Sequence, residues 1–344
     1  MSALLKICTP GAHTSVQDFG RPGYRKLGVP LSGALDRKQL RLVNRLVGNP
    51  PQVAGLEILY MGPVVEVLCE SVRIAVSGTG STIEILDTPG HTIPAWQSVR
   101  LNAGQKFKVT LGPGLICCYL SIEGGLDLPA VMQSLSTYTR AAFGGFNGRI
   151  LAQDDEIPLI NDSVDEHHET TYPRLPDMSA DAPIRVTWGQ QVDYFTDASL
   201  AGFTSQEYTI LPASDRMGYR VSGFTLTHKD SFNIVSDGTA VGAIQVPGDG
   251  APIILLADCQ TTGGYPKIAT VISSDLGRLA RRTPGSKIRF EAISVPQAET
   301  IARDYDAALS AIENSAKPVQ PGTELDVEAL YDANLISGMF DASD

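Results

Sequence analysis

The sequence predicts a mainly β protein of two domains, and three observations carry that expectation. Its 344 residues are enough for two buried cores. Gly (33) and Pro (22) supply 55 of those residues, above the roughly 12% of average usage. Short apolar or alternating runs, separated by Gly, Pro or Asn, recur every 8–15 residues between 55 and 122. Such spacing is the mark of a barrel or sandwich rather than of alternating strands and helices.

Taken in order, Leu4 to Cys8 reads as a strand, and residues 13–24 form a polar, turn-rich loop. Leu35, Gln39, Leu42, Val43 and Leu46 keep a helical period, with Asp36 as N-cap and Gly48-Asn49-Pro50 as stop. Five strands follow, at 64–68, 72–76, 82–85, 106–111 and 117–120, and residues 143–149 form a loop. Residues 161–183 are acidic, broken by Pro and without apolar period, and are read as the connection between domains. Strand patterns resume at 184–188, 224–227, 253–257, 268–272 and 287–290, a helix spans 297–312, and residues 316–344 read as a loosely held acidic tail. The domains expected are 1–160 and 184–295, with a helix and tail over 296–344.

The net charge of −11 is uneven. Residues 154–181 and 296–344 carry −8 each, so that −16 resides there and the remaining body is +5. Global acidity excludes nucleic acid as an expected partner, while the cationic body remains suited to a carboxylate substrate. No apolar run approaches the ~20 residues of a membrane span, and MSALLKICTPG lacks the features of a signal peptide. Five scattered cysteines without CxxC spacing fit free thiols in a reducing, cytoplasmic setting. The sequence has no GxxxxGK[ST], GxSxG or HExxH, and the histidines at 13, 91, 167, 168 and 228 lack metal spacing, so no metal is expected.

Three polar turns remain as candidates. In 14–24, Gln17, Asp18 and Arg21 offer ligand-binding groups, although a structural turn pairing Asp18 with Arg21 fits equally well. In 214–220, Arg216 and Arg220 form a fork for carboxylate or phosphate, with Asp215 orienting Arg216 and Tyr219 beside them; a structural Asp–Arg pair is the alternative. The third turn, 258–267, leaves the apolar run Ile253 to Ala257 and supplies Gln260, Thr261, Thr262, Tyr265 and Lys267 within eight residues. Gln245 precedes it. Such neutral donors and acceptors suit an amide or ureido group, and Lys267 suits a proton donor or oxyanion stabiliser. A polar hairpin turn without function is the plainer reading of the same residues. Arg21-Pro-Gly-Tyr-Arg25 is echoed by Arg216-Met-Gly-Tyr-Arg220, four identities in five.

Together, TSVQDFGRPGY (14–24), SGALD (32–36), NRLVGNP (44–50), YLSIEGGLD (119–127), SDRMGYR (214–220), GAIQVPGDGAPIILLAD (242–258) and QTTGGYPKIA (260–269) resemble the biotin-dependent carboxyltransferase-like family. That family includes the C-type subunit of 5-oxoprolinase, KipA and "allophanate hydrolase subunit 2", the carboxyltransferase part of urea carboxylase. The resemblance implies two cyclophilin-like β-barrel domains. It also implies a KipI-like B subunit (allophanate hydrolase subunit 1) as partner and, in the oxoprolinase system, a LamB/YcsF-type A subunit. Three activities follow from it. The first is an ATP-dependent opening of 5-oxoproline to glutamate, with ATP used by the complex and this chain inactive alone. The second is biotin-dependent carboxyl transfer to urea, and the third is KipA-like binding without catalysis. Under the first, Gln260 and Thr262 hold the ring amide and Lys267 supports the oxyanion. Two positions depart from the family pattern: Gln133-Ser134-Leu135, where Gly-Ser-Arg is common, and Cys259, where Arg is common.

Overall fold

The computed structural model describes residues 3–88, 90–173 and 182–319. The protein is mainly β, with four α-helices among the described residues. Two sheets make up the first half. The six-stranded sheet runs Glu156–Pro158, Leu4–Thr9, Val64–Val67, Lys106–Thr110, Thr82–Ile85 and Thr92–Pro94. The five-stranded sheet runs His13–Gln17, Gly55–Leu59, Cys117–Ile122, Ser71–Val76 and Ser98–Asn102. Alternation builds the first sheet: Leu5, Ile7, Val65, Val67, Phe107 and Val109 all point inward and are inaccessible to solvent. Each such side chain stabilises the fold by about 1.5–3 kcal/mol.

Three strands of the second sheet are buried along their whole length. Period two explains why. Cys118, Leu120 and Ile122 pack into the core of the first half, whereas Cys117 and Tyr119 face the other way, into a core shared with the second half. Leu59 faces the shared core as well, and Glu57 lies two residues before it on the same strand. Parity thus places one carboxylate at the seam between the halves.

The first helix, α1 (Arg37–Leu46), begins where expected: the Asp36 side chain accepts from Gln39 N–H. It lays Leu40, Leu42, Val43 and Leu46 against the shared core. In the second half an eight-stranded, nearly closed barrel sheet runs Lys287–Ile288, Tyr208–Ile210, Gly218–Gly223, Ile253–Leu255, Ala243–Gln245, Lys267–Val271, Ile184–Trp188 and Phe290–Ala292. Its pairings are antiparallel except the last, between Ile184–Trp188 and Phe290–Ala292. Two helices, α2 (Asp197–Ser205) and α3 (Ser273–Ala280), accompany it, followed by α4 (Val295–Asn314) with a Ser294/Gln297 capping box. Arg41 of α1 binds Asp306, Ser310 and Glu313 on α4, which joins the two halves from one side.

Four expectations need correction. The loop expected at 13–24 begins as a strand, His13–Gln17, because its five residues pair along the buried strand Gly55–Leu59. Phe224–Thr227 is not a strand: the chain is extended earlier, at Gly218–Gly223, where Tyr208–Ile210 and Ile253–Leu255 offer partners on both edges. Helices α2 and α3 had not been expected, because each is short and α2 lacks a clear apolar stripe. The tail expected from 316 onward is anchored at its start, since Lys317–Pro318 pairs with Thr170–Thr171; residues 320–344 lie outside the described residues. The acidic segment from 161 is likewise held over its described part. The inaccessible Arg73 binds Glu169 (3.1 Å), Glu123 (2.5 Å) and the Asp165 carbonyl (3.0 Å).

Candidate functional site

Where the halves meet, Arg216 lies just before the strand Gly218–Gly223 and is 7% exposed. Its guanidinium grips Asp258 through Nε (2.8 Å) and Nη2 (3.1 Å), binds Glu57 through Nη1, and donates to the Gly33 carbonyl (2.8 Å). The second Glu57 oxygen accepts from Leu35 N–H (2.9 Å) and Tyr119 Oη–H (2.6 Å), and Tyr119 Oη accepts from Asp36 N–H (2.8 Å). Burial alone would depress the Arg216 pKa, but Asp258 and Glu57 outweigh it and hold the group firmly charged. Burial pushes the Tyr119 hydroxyl well up, with Cys117 and Glu57 adding to it, so it remains a donor. Gly33 has φ +88°, and a Cβ there would strike the backbone of Gly20, so the carbonyl that Arg216 needs is set by a glycine.

The fork expected from 214–220 is therefore not available. Arg216 is spent on the seam, and Arg220 stands exposed on the far side of its strand. Asp215 does not orient Arg216; it closes its own turn by accepting from Met217 N–H (2.8 Å) and Gly218 N–H (3.3 Å). The Tyr219 hydroxyl is committed to the Ala280 carbonyl at 2.9 Å. In the first turn, Asp18 does not pair with Arg21. It clamps the 134–136 loop through Ser134 Oγ (2.7 Å), Leu135 N–H (2.6 Å) and Ser136 Oγ. Arg21 is inaccessible, gives Nη2 to the Ser136 carbonyl and packs on the Phe143 ring at 4.8 Å. Gln17 donates to Ser15 Oγ (3.1 Å) and the Thr137 carbonyl (3.2 Å), and its Oε1 is buried without a partner among the described residues.

The third turn gathers the remaining groups. Lys267 opens the strand Lys267–Val271 directly opposite Gln245, so both side chains share one face. The Lys267 side chain is 8% exposed, and its Nζ lies 2.9 Å from Asp237 Oδ2. Asp237 also accepts from Gly238 N–H (2.7 Å) and Gln191 Nε2 (3.4 Å), and the Lys267 hydrogen bond foremost holds its carboxyl below the usual value. Gln260 donates to Gln245 Oε1 (3.0 Å), while Gln245 Nε2 is buried without a partner among the described residues. A Cβ on Gly263 would collide with that Nε2, so glycine is what leaves room above it. The two-residue strands Asp237–Gly238 and Thr262–Gly263 pair over the cluster as a ribbon. Thr261 is half-buried, and Thr262 and Tyr265 are exposed on the outside.

Arg25, Thr239, Asp237 and Gln191 were not legible as members of this cluster. Arg25 comes from the first half and reaches across to the Thr239 carbonyl (2.7 Å), the Gln260 carbonyl (3.4 Å) and Cys259 Sγ (4.0 Å). The repeated Arg-x-Gly-Tyr-Arg pattern ends on Arg25, yet nothing local says which turn it approaches. Burial raises the Cys259 thiol pKa, and Arg25 opposes the shift without cancelling it.

Two β-rich halves tied by a buried ion cluster, with two amide side chains and a lysine gathered under a short ribbon, define a carboxyltransferase-like architecture. The family model for the "Carboxyltransferase domain, subdomain A and B" matches residues 27–292, and the chain belongs to that family. It is 35% identical over 309 residues to the C-type subunit of 5-oxoprolinase from Haemophilus influenzae, covering 90% of this chain and 97% of that one. The Escherichia coli counterpart, also a C-type subunit of 5-oxoprolinase, is 34% identical, covering 88% and 95%. The urea amidolyase of Saccharomyces cerevisiae is 30% identical over 90% of this chain but only 18% of its own length. Among solved structures, the urea amidolyase of K. lactis superposes with a TM-score of 0.83 at 29% identity, covering 90% of this chain and 20% of that one.

Proposed function

We propose that the chain is the C-type subunit of an ATP-dependent amidohydrolase that opens a lactam of the 5-oxoproline kind to glutamate. Gln245 carries this reading: a buried amide nitrogen without a partner among the described residues, on the same strand face as Lys267, beside the second amide of Gln260. A ring amide presents one acceptor and one donor. Gln245 Nε2 donates to its carbonyl, Gln260 Oε1 accepts from its N–H, and Lys267 stabilises the negative charge that grows on the carbonyl oxygen when the ring is attacked. Asp237 holds the ammonium in position. The near full-length matches to the C-type subunits of two 5-oxoprolinases support the same reading.

ATP is assigned to the complex, because this chain has no GxxxxGK[ST] cradle for its phosphates. The partners proposed are a KipI-like B subunit and a LamB/YcsF-type A subunit, with this chain inactive alone. The test is to assemble all three and follow glutamate release from 5-oxoproline with and without ATP. Release that depends on ATP and falls with Lys267→Ala supports the assignment; no release from the full assembly would falsify it. The structural match to urea amidolyase favours a second reading, carboxyl transfer from a separate biotinylated carrier to urea. Carboxylation of urea by the assembly with such a carrier, in place of glutamate release, selects it.

A further inference from the structure

Apart from the Lys267 cluster, none of whose members lines it, lies a cavity of about 350 Å³. The 31–36 loop and α1 from the first half, α3 from the second, and α4 enclose it. A volume of this order suits a small metabolite. Its body is apolar, with Phe19, Leu31, Leu276, Tyr305 and Leu309 among the walls.

The polar groups in those walls are arranged unevenly. Asp306 is paired with Arg41 (2.6 Å), and Asp36 is taken by Gln39 and by Arg281 (3.3 Å), so the carboxylates are compensated. Two cations stand at the rim. Lys38 sits over the Tyr305 ring at 4.5 Å. Arg37 lies over the Phe19 ring at 5.7 Å; Asp18 is the carboxylate that acts on it electrostatically, but no ion pair to Arg37 is formed among the described residues. Deeper in, two hydroxyls are buried without a hydrogen-bond partner among the described residues: Ser32 Oγ on the first half (1% exposed) and Ser274 Oγ on the second (6% exposed). Ser32 is held there by an uncommon backbone conformation, φ 53°, with its N–H on the Ala257 carbonyl. Ser274 lies in the first turn of α3, an eight-residue helix whose N-cap, Ile272, offers no side-chain acceptor. The first N–H groups of a helix have no intrahelical acceptor and carry partial positive charge. A buried hydroxyl that binds nothing is uncommon, because it has given up water without replacement. Two of them, from different halves, border one cavity beside a helix start without a side-chain cap and an arginine without an ion-pair partner among the described residues.

We propose that this cavity is a second ligand site, for a small carboxylate with an apolar body. The carboxylate is received by Ser32, Ser274 and the start of α3, with Arg37 closing over it, and the body lies against Phe19, Leu276 and Tyr305. A ligand there touches both halves and α4, and so stabilises the seam. It also borders Leu256 and Ala257, two and one residues before Asp258 of the seam cluster.

The experiment is calorimetry of the full chain with 4-phenylbutyrate, beside 4-phenylbutylamine and 4-phenylbutyramide. The carboxylate is expected to bind at least about tenfold more tightly than either analogue, the factor of one charge-assisted contact. Arg37→Gln is expected to weaken it about tenfold, and Ser274→Ala to weaken it as well. Ala302→Trp and, independently, Leu276→Trp fill the cavity and are expected to remove binding with the melting temperature retained. Lys267→Ala is expected to leave binding unchanged, which separates this site from the lactam site. Equal binding of the amine, binding that survives both filled variants in folded protein, or no binding of the carboxylate overturns the proposal.

Discussion

Two polar clusters lie within one chain, and they differ in how completely they are satisfied. Around Arg216 the guanidinium, Glu57, Asp258 and the Tyr119 hydroxyl all have partners, and none is exposed. Around Lys267 the pairing is partial: Gln245 Nε2 has no partner among the described residues, Asp237 is about half exposed, and a ribbon of two short strands covers the whole. A buried network with every member satisfied specifies structure. A cluster with an unmet amide and a thin cover is where a ligand completes the hydrogen bonding. The contrast reverses the weight that the sequence gives to the arginines of 214–220.

The largest effect should come from Arg216→Met. It strands two buried carboxylates, so urea unfolding is expected to show a loss of about 3–5 kcal/mol. If the variant kept its stability and lost only ligand binding, Arg216 would belong to a binding fork and the distinction between the clusters would fail. Lys267→Ala should act the other way. In the assembled complex, glutamate release is expected to fall by about two to three orders of magnitude, with the unfolding midpoint changed far less than in Arg216→Met.

Gln245→Leu sharpens the contrast further. Because Gln245 Nε2 is already unpartnered among the described residues, stability is expected to change by no more than about 1 kcal/mol, while the substrate KM rises. A large loss of stability would show that Gln245 is as structural as Glu57. The smallest effect concerns His13, which lies near Glu57 and Arg216. Burial lowers its pKa from the ordinary 6.5, with Glu57 opposing. A group whose folded pKa is depressed contributes stability that is complete above about 6.5 and is lost as pH falls through the folded value. Melting curves recorded on acidification should therefore decline less steeply for His13→Gln than for the parent.

The Arg21–Arg25 echo shows how far local patterns reach. Both leading arginines, Arg21 and Arg216, are buried and bind backbone carbonyls, whereas the trailing pair diverges: Arg25 crosses to Thr239, and Arg220 faces solvent. The pattern says that a guanidinium stands at a turn. It does not say which carboxylate or carbonyl meets it, because Glu57 is 159 residues from Arg216 and Asp258 is 42. Likewise Asp36 was legible as a helix cap, since the N–H it accepts from, that of Gln39, is three residues away, but its pairing with Arg281 was not.

By itself the sequence determined the mainly β class, the start of α1, the strands near 4–8, 64–68, 72–76, 82–85, 106–111 and 117–120, and the amide-and-lysine composition of the 258–267 turn. These rest on periods and caps that act within a few residues. Only the tertiary structure decided that Arg216 is a seam residue, that Arg25 reaches into the other half, and that Gln245 and Lys267 stand side by side with one amide unmet among the described residues. Those facts depend on register between strands and on packing between halves, where a one-residue shift turns each side chain to the opposite face.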